Sequence, residues 1–326
     1  MPDSAPTAAC FGEALVVLVP TVPGELEHVH TLSRSLAGAE VNVAVALAAA
    51  GVVSAVITRV GDDGFGRYAT AELGRLGVNT TAIAVDAEAP TGLYVKELAI
   101  DADDEPGSRM HYYRTGSAGS RLSKATLDEP RVRAILDTAR VVHTTGITPA
   151  LSPSAHAAQL ALFDGREPNQ LISFDVNWRP ALWRGRAEEA SETIAEFIRR
   201  SDVALVGAAE ASALFGTTDP QTIRSMFPEP RWLVVKNDGR DATGFDGIER
   251  VDVPALEHEV VEPIGAGDAF AAGLLAGLLA ELSLAGCIAR AHRWAGRALA
   301  NLGDHVGASM PIGRAPETVV GRVSSH

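Results

Sequence analysis

The residues of this chain with the most evident chemistry are Gly265-Ala266-Gly267-Asp268, followed at once by an apolar run over residues 269–280. A turn of small residues ahead of an apolar helix leaves the backbone N–H groups of its first turn uncovered. With the helix dipole, those groups suit an anion such as a phosphate. A carboxylate beside a phosphate site is electrostatically unwelcome unless it has work there, and the work Asp268 suits is taking the proton of an alcohol that attacks the phosphate. The spacing therefore predicts phosphoryl transfer, with Gly265, Ala266 and Gly267 as an anion cradle and Asp268 as the base. A plain turn capped by an exposed Asp268 describes the same residues equally well. Phe270 stands where a third glycine would complete a GxGxxG fingerprint, and no GxxxxGK[ST] loop occurs anywhere. A dinucleotide fold is disfavoured, and any nucleotide is held by another scheme.

Other candidates lie far away in sequence. Arg114 follows Tyr112 at a spacing of two, so in a strand both side chains face one way. A hydroxyl and a planar guanidinium on one face suit a ligand with hydroxyls and a carboxylate, which arginine holds in two parallel hydrogen bonds. The residues alone favour a solvated arginine beside a packed tyrosine. Arg179 comes just past the apolar run 171–176, at the carboxyl end of a predicted strand, where open α/β sheets place ligands. Glu210 suits either a water on Mg²⁺ or a carboxylate at a helix start. His28 and His30 share a predicted strand face but lack a third ligand, and read as surface residues. No GxSxG elbow is present, and Cys10 and Cys287 have no evident activating partner.

The elements that must position these residues follow from hydrophobic patterning. Short β-branched runs at 52–60, 141–145, 171–176, 203–206 and 232–235 alternate with helical patterns at 41–50, 66–76, 154–163, 187–199 and 208–215. That alternation predicts a mostly parallel sheet with helices on both faces. Residues 14–36 and 91–114 break it with strand-like pieces of polar alternation, among them 92–99 and 110–114, joined by the charged connector 101–107. Together they predict a small β-sheet outside the main layer: a lid over the site, or a bland surface hairpin. A bare sheet needs cover, so the lid is also the expected surface for a homo-oligomer.

The 326 residues suffice for one large α/β domain, expected to run from 1 to 326 with lid segments near 14–36 and 91–114. With 46% hydrophobic and 21% charged residues the composition is that of a globular chain, and the net charge of −13 argues against nucleic acid or an anionic membrane as partner. Two cysteines make neither a disulfide framework nor a Cys-based zinc site, and residues 1–9 have no basic start or apolar stretch, so a reducing cytoplasm is expected. The run 269–280 is shorter than the roughly 20 residues a membrane span needs and reads as a buried helix.

With these residues in view, the segment GAGDAFAAG resembles the signature of the ribokinase-like (PfkB-type) carbohydrate kinases. Ala37-Gly38-Ala39-Glu40-Val41-Asn42 is similar to that family's early GGAxxN sugar-binding turn, and Gly61-Asp62-Asp63-Gly64-Phe65-Gly66 to its GxDxFG segment. The resemblance spans nearly the whole chain. Within the family, Gly12-Glu13-Ala14-Leu15-Val16, Thr91-Gly92-Leu93-Tyr94, Tyr112-Tyr113-Arg114, residues 116–120, residues 146–152, Asp175-Val176-Asn177-Trp178-Arg179 and Gly303-Asp304-His305 are similar to 2-keto-3-deoxygluconate kinases.

The resemblance implies a three-layer α/β/α ribokinase-like fold with a β lid. It implies ATP and Mg²⁺ as cofactors, Asp268 as catalytic base and a sugar acid as acceptor. It assigns Gly38, Asn42, Tyr94, Tyr112, Arg114, Arg179 and Asp304 to the substrate. It assigns Asn177, Lys236, Gly239, Gly265, Gly267 and His292 to the nucleotide, and Glu210 to the metal through water. Residues 232–245, WLVVKNDGRDATGF, depart from the pattern: Asp238 and Asp241 stand where relatives carry glycine, and His292 where they often carry asparagine. A neutral-sugar acceptor stays open, as does a sugar-binding regulator that has lost catalysis.

Overall fold

The computed structural model describes residues 7–100, 106–237, 239–256 and 265–299. Asp238 and Asp304 lie outside the described residues. The chain alternates strands and helices: β1 (Ala8–Phe11), β2 (Leu15–Pro20), β3 (Leu32–Ala37), β4 (Ser54–Gly61), β5 (Ile83–Asp86), β6 (Leu93–Ile100), β7 (Pro106–Tyr113), β8 (Val141–Thr145), β9 (Leu171–Asp175), β10 (Val203–Gly207), β11 (Trp232–Asn237), β12 (Asp241–Asp246) and β13 (Glu249–Pro254). Nine of them form one sheet in the order β13-β12-β11-β10-β9-β8-β1-β4-β5. From β11 to β5 neighbours run parallel, while β12 and β13 close one edge antiparallel.

Helices cover both faces and make two separate apolar cores. Helices Ala39–Ala49, Gly64–Arg75, Ala266–Leu279 and Leu284–Leu299 contribute to one, together with Cys10 and Val56. Helices Pro130–Leu136, Pro153–Asp164, Ala187–Arg200 and Ala208–Phe215 contribute to the other, together with Ala9, Phe11 and Ile57. Adjacent residues of β1 thus face opposite cores, as strand pleating demands. Strands buried on both faces read as near-continuous apolar runs, and β10, VALVG, is buried throughout. This three-layer α/β/α architecture is the one the alternation predicted.

The apolar run after Asp268 is the helix Ala266–Leu279, buried along most of its length. It lies against the helix Leu284–Leu299 so closely that a Cβ on Gly273 would come within 2.8 Å of Ala291 Cα, and one on Gly277 within 2.9 Å of Cys287 Cα. Among the described residues no helix is long and apolar enough to cross a membrane.

A smaller separate sheet has the order β3-β2-β6-β7. β6 and β7 pair antiparallel from Leu93–Tyr113 to Ile100–Pro106, β2 pairs antiparallel with β3, and β2 runs parallel to β6. Residues 14–36 and 91–114 supply these strands, but not as continuous strand. Leu26–His28 is a 3₁₀ turn, so the expected strand face shared by His28 and His30 does not exist. Both histidines are exposed.

Candidate active site

The Gly-Ala-Gly turn caps the helix Ala266–Leu279. Gly265 is its N-cap, with φ 79° and ψ −8°, a left-handed conformation that glycine adopts at little cost. The N–H groups of Ala266, Gly267 and Asp268 begin the first turn and so have no acceptor within the helix. A Cβ on Gly267 would meet nothing within 4 Å, so the space ahead of the turn is open. Residues as far apart in sequence as Glu13 and Leu299 line one cavity of about 820 Å³ around this point, a volume usual for small-molecule sites. Gly265, Ala266, Gly267 and Asp268 form part of its wall.

Asp268 is held by two asparagines from distant elements. Asn42 Nδ2, on the helix Ala39–Ala49, donates to Oδ2 at 2.7 Å, and Asn177 Nδ2 donates to Oδ1 at 3.4 Å. Burial pushes the Asp268 carboxyl up to about 7; Asn42 and Arg179 pull against that, while Asp175 and Glu40 add to it. A carboxyl tuned near neutrality is what a general base at physiological pH requires. Asn177 has φ 37°, an uncommon value for a residue with a side chain, at the point where the chain leaves β9.

Beneath Asp268 lies a buried charge network. Lys236, at the end of β11, donates to both oxygens of Asp175, at the end of β9, over 2.8 and 2.9 Å. Burial alone would lower the lysine, but Asp175, Glu210 and Asp268 more than reverse it and hold the ammonium charged. Glu210 Oε2 accepts from the Gly207 N–H and Oε1 from the Trp178 N–H, both at 2.9 Å. Burial pushes Glu210 up against the pull of Lys236. Glu210 is therefore engaged as a helix-start carboxylate, and with Asp175 committed to Lys236 the described residues of the site offer no dedicated carboxylate cage for a cation.

The opposite end of the cavity is built where the small sheet meets the main one. Tyr94 on β6 and Tyr112 on β7 are cross-strand partners with ring centroids 5.1 Å apart, and the Arg114 guanidinium lies 5.3 Å from the Tyr112 ring. All three line the cavity, so the shared face expected from the Tyr112–Arg114 spacing is present. Arg114 is not free, however: its Nη2 lies 2.5 Å from Oε2 of the buried Glu13. Gly38, φ 127°, caps the helix that carries Asn42. Asn42 is 7% exposed, and its Oδ1 is buried with no hydrogen-bond partner. An unpartnered acceptor lining a cavity invites a ligand hydroxyl, because leaving it unpaired is costly. Arg179 is exposed at the cavity wall and close enough to Asp268 to lower its carboxyl.

Trp232–Asn237 and Asp241–Asp246 pair as a β-hairpin. β11 and β12 pair up to Asn237–Asp241, and Gly239 turns the chain with φ 78°. Asp241 does not point loosely at the cavity; its Oδ1 accepts from Asn237 Nδ2 at 2.8 Å and so closes the turn. Across the cavity, His292 Nε2 lies 3.1 Å from the Val253 carbonyl oxygen, and its ring packs edge-on against Phe270 at 5.2 Å. A carbonyl only accepts, so Nε2 carries a hydrogen; burial lowers the histidine, and the neutral ring then presents Nδ1 as an acceptor. Lys236, Gly239 and His292 share this side of the wall.

Every described residue assigned from the sequence thus reaches one cavity. Sequence reasoning assigned no role to Glu13, Glu40 and Asp175, which also line the wall, while Asp241, flagged there only as a departure in the loop, proves to line it too. Glu40 is buried with Oε1 accepting from Thr145 and Thr148 at 2.7 and 3.1 Å, and a Cβ on Gly12 would strike its carboxyl. The usable signal was glycine beside an acidic residue in Gly12-Glu13, and an acidic residue closing an apolar run at Asp175.

Comparison with known proteins agrees with this geometry. The profile of the pfkB family carbohydrate kinase matches residues 5–309. A 2-dehydro-3-deoxygluconokinase of Thermoproteus tenax is 35% identical over 264 residues, covering 80% of this chain and 78% of the relative. One of Bacillus subtilis (strain 168) is 33% identical over 288 residues, covering 87% and 86%. Fructokinase-1 of Oryza sativa subsp. japonica is 32% identical over 269 residues, covering 81% and 80%. Among solved structures, a PfkB protein from Polaromonas sp. JS666 superposes with TM-score 0.80 at 32% identity, over 92% of this chain and 97% of the other. The uncharacterized sugar kinase PH1459 from Pyrococcus horikoshii, in complex with ATP, superposes with TM-score 0.78 at 25% identity, over 91% and 93%.

Proposed function

Because the chain belongs to the pfkB family of carbohydrate kinases, we propose that it transfers the γ-phosphoryl of ATP to the terminal hydroxyl of a sugar acid, 2-keto-3-deoxygluconate. One observation carries the choice of an acid: Arg114, backed by Tyr112, faces the same cavity as the Asp268 base. The relatives named 2-dehydro-3-deoxygluconokinase support it.

In this reading the acceptor hydroxyl lies against Asp268 and attacks the γ-phosphorus in line. The new O–P bond forms as the bond to the β-phosphate oxygen breaks, the hydroxyl proton passes to the carboxylate, and ADP leaves. Asn42 and Asn177 fix the carboxylate, so little reorganisation is needed when the proton arrives. The N–H groups of Ala266, Gly267 and Asp268 meet the charge on the transferring group, and the open space before Gly267 admits it. Lys236 offsets the charge of Asp175 beneath the phosphates. His292 Nδ1 is suited to accept from an exocyclic amine of the base. Glu210 would hold Mg²⁺ through water, and the ion would supply neutralisation of phosphate charge. The small sheet serves as the lid of a single 1–326 unit and excludes water during transfer. Its outer side, with Tyr113 exposed, suits a second copy of the chain.

The test is a panel of aldonates, 2-keto-3-deoxy acids and neutral sugars, each assayed for ADP release. Activity confined to fructose or ribose would overturn the acid reading. A neutral sugar is the second reading, favoured by the Glu13 carboxylate that already offsets the Arg114 charge and by the fructokinase relative.

A further inference from the structure

Glu13 stands where the chain passes from β1 to β2, that is, from the main sheet to the small one, and it is 1% exposed. The other passages between the two sheets all touch it. Between β3 and the helix Ala39–Ala49, a Cβ on Gly38 would come 2.4 Å from the Glu13 carbonyl oxygen. Between β5 and β6, a Cβ on Gly92 would come 2.9 Å from Glu13 Oε1. After β7, Arg114 Nη2 lies 2.5 Å from Glu13 Oε2, Ser117 Oγ donates to Oε1 at 2.9 Å, and a Cβ on Gly119 would come 2.5 Å from Glu13 Cγ. Gly92 and Gly119 therefore leave the space that the glutamate side chain fills, while Gly38 clears its carbonyl.

Simple electrostatics gives no reason for it. A carboxylate beside Arg114 weakens the positive potential that would attract an anion. Its value lies in orientation. The Arg114 side chain is 10% exposed and its Nε is buried without a hydrogen-bond partner, so the guanidinium is enclosed on the side that Glu13 holds. Arginine recognises a carboxylate through a planar fork, and a fork already held loses less entropy on binding. Resting on the sugar-acid reading above, we propose that Glu13 is a positioning residue for acceptor selectivity: gripping the Arg114 guanidinium at the junction of the two sheets, it presents the remaining N–H groups to a sugar-acid carboxylate.

The experiment compares wild type, Glu13→Gln, Arg114→Ala and the double variant on 2-keto-3-deoxygluconate and on fructose, with thermal unfolding of each. Glu13→Gln should raise KM for the acid about tenfold or more, the scale of a lost charged hydrogen bond, with kcat changed far less. The fructose KM should shift far less than the acid KM. In the double variant it should add nothing to the Arg114→Ala loss on the acid. Ser117→Ala removes only the hydroxyl that steadies Glu13; it should shift the acid KM the same way by less, and it serves if Glu13→Gln does not fold. Additive losses, equal losses on acid and neutral sugar, or an unchanged or lowered acid KM overturn the role of Glu13. A wild type that phosphorylates neutral sugars alone overturns the sugar-acid reading and this inference with it. An acid-using wild type with unresponsive variants overturns the inference alone.

Discussion

In the proposed role, Asp268 must be anionic enough to take a proton and yet stand beside a polyphosphate. Burial and the nearby Asp175 and Glu40 push its carboxyl up to about 7, with Asn42 and Arg179 limiting the rise. The base works only when ionised, so kcat/KM for the acceptor should climb as pH rises through about 7 and level off above it. A profile flat from pH 5.5 to 8.5 would remove Asp268 from the role. Asp268→Asn keeps the shape and loses the proton acceptor, so kcat should fall on the order of 10²- to 10⁴-fold with acceptor KM little changed. The sign for stability follows from the same shift. A carboxyl whose folded-state pKa lies above its unfolded value opposes folding once ionised, so at pH 8 the variant's Tm should not drop. Arg114→Ala should cost a sugar acid about a hundredfold in kcat/KM through two lost charge-assisted bonds, while neutral sugars lose little.

At the scale of elements, the helix Ala266–Leu279, capped by Gly265, is held from behind. Gly273 and Gly277 let the helix Leu284–Leu299 approach until only a hydrogen atom fits between. Gly273→Val would force the two helices apart, at a cost of about 2 kcal/mol. For a chain of this size that is a Tm loss of several degrees, read by thermal unfolding. Because His292 rides on the second helix, the same variant should weaken ATP more than the sugar. The hairpin of β11 and β12 is the other decisive element: the Asn237–Asp241 bond turns an acidic residue away from a repulsive role and into a turn lock.

On the scale of the whole molecule, the cavity belongs to neither sheet alone. Gly265–Asp268, Asp175 and Lys236 come from the ends of main-sheet elements, whereas Tyr94 and Tyr112 come from the small sheet. The outward Tyr113, 64% exposed, marks the lid side available to a second copy. Sedimentation velocity should show a dimer, and Tyr113→Glu should shift it towards monomer; an unchanged monomeric wild type would refute the assembly.

The layers and five of the nine strands of the main sheet were legible in the sequence, as was the glycine turn that caps the helix Ala266–Leu279. Buried parallel strands and amphipathic helices write their periodicity locally, and a glycine turn before an apolar helix is a local signal too. Glu13, Glu40 and Asp175 were not legible as parts of the wall, since an acidic residue looks the same in sequence whether it is solvated or paired in the interior. Only the tertiary structure decided that Arg114 is gripped by Glu13, that Asn42 and Asn177 hold Asp268 from two separate elements, and that Asp241 locks a turn. The contacts of Arg114 and Asp268 span tens to hundreds of residues and are fixed by how distant elements pack, whereas the Asp241 lock closes over four residues once β11 and β12 pair.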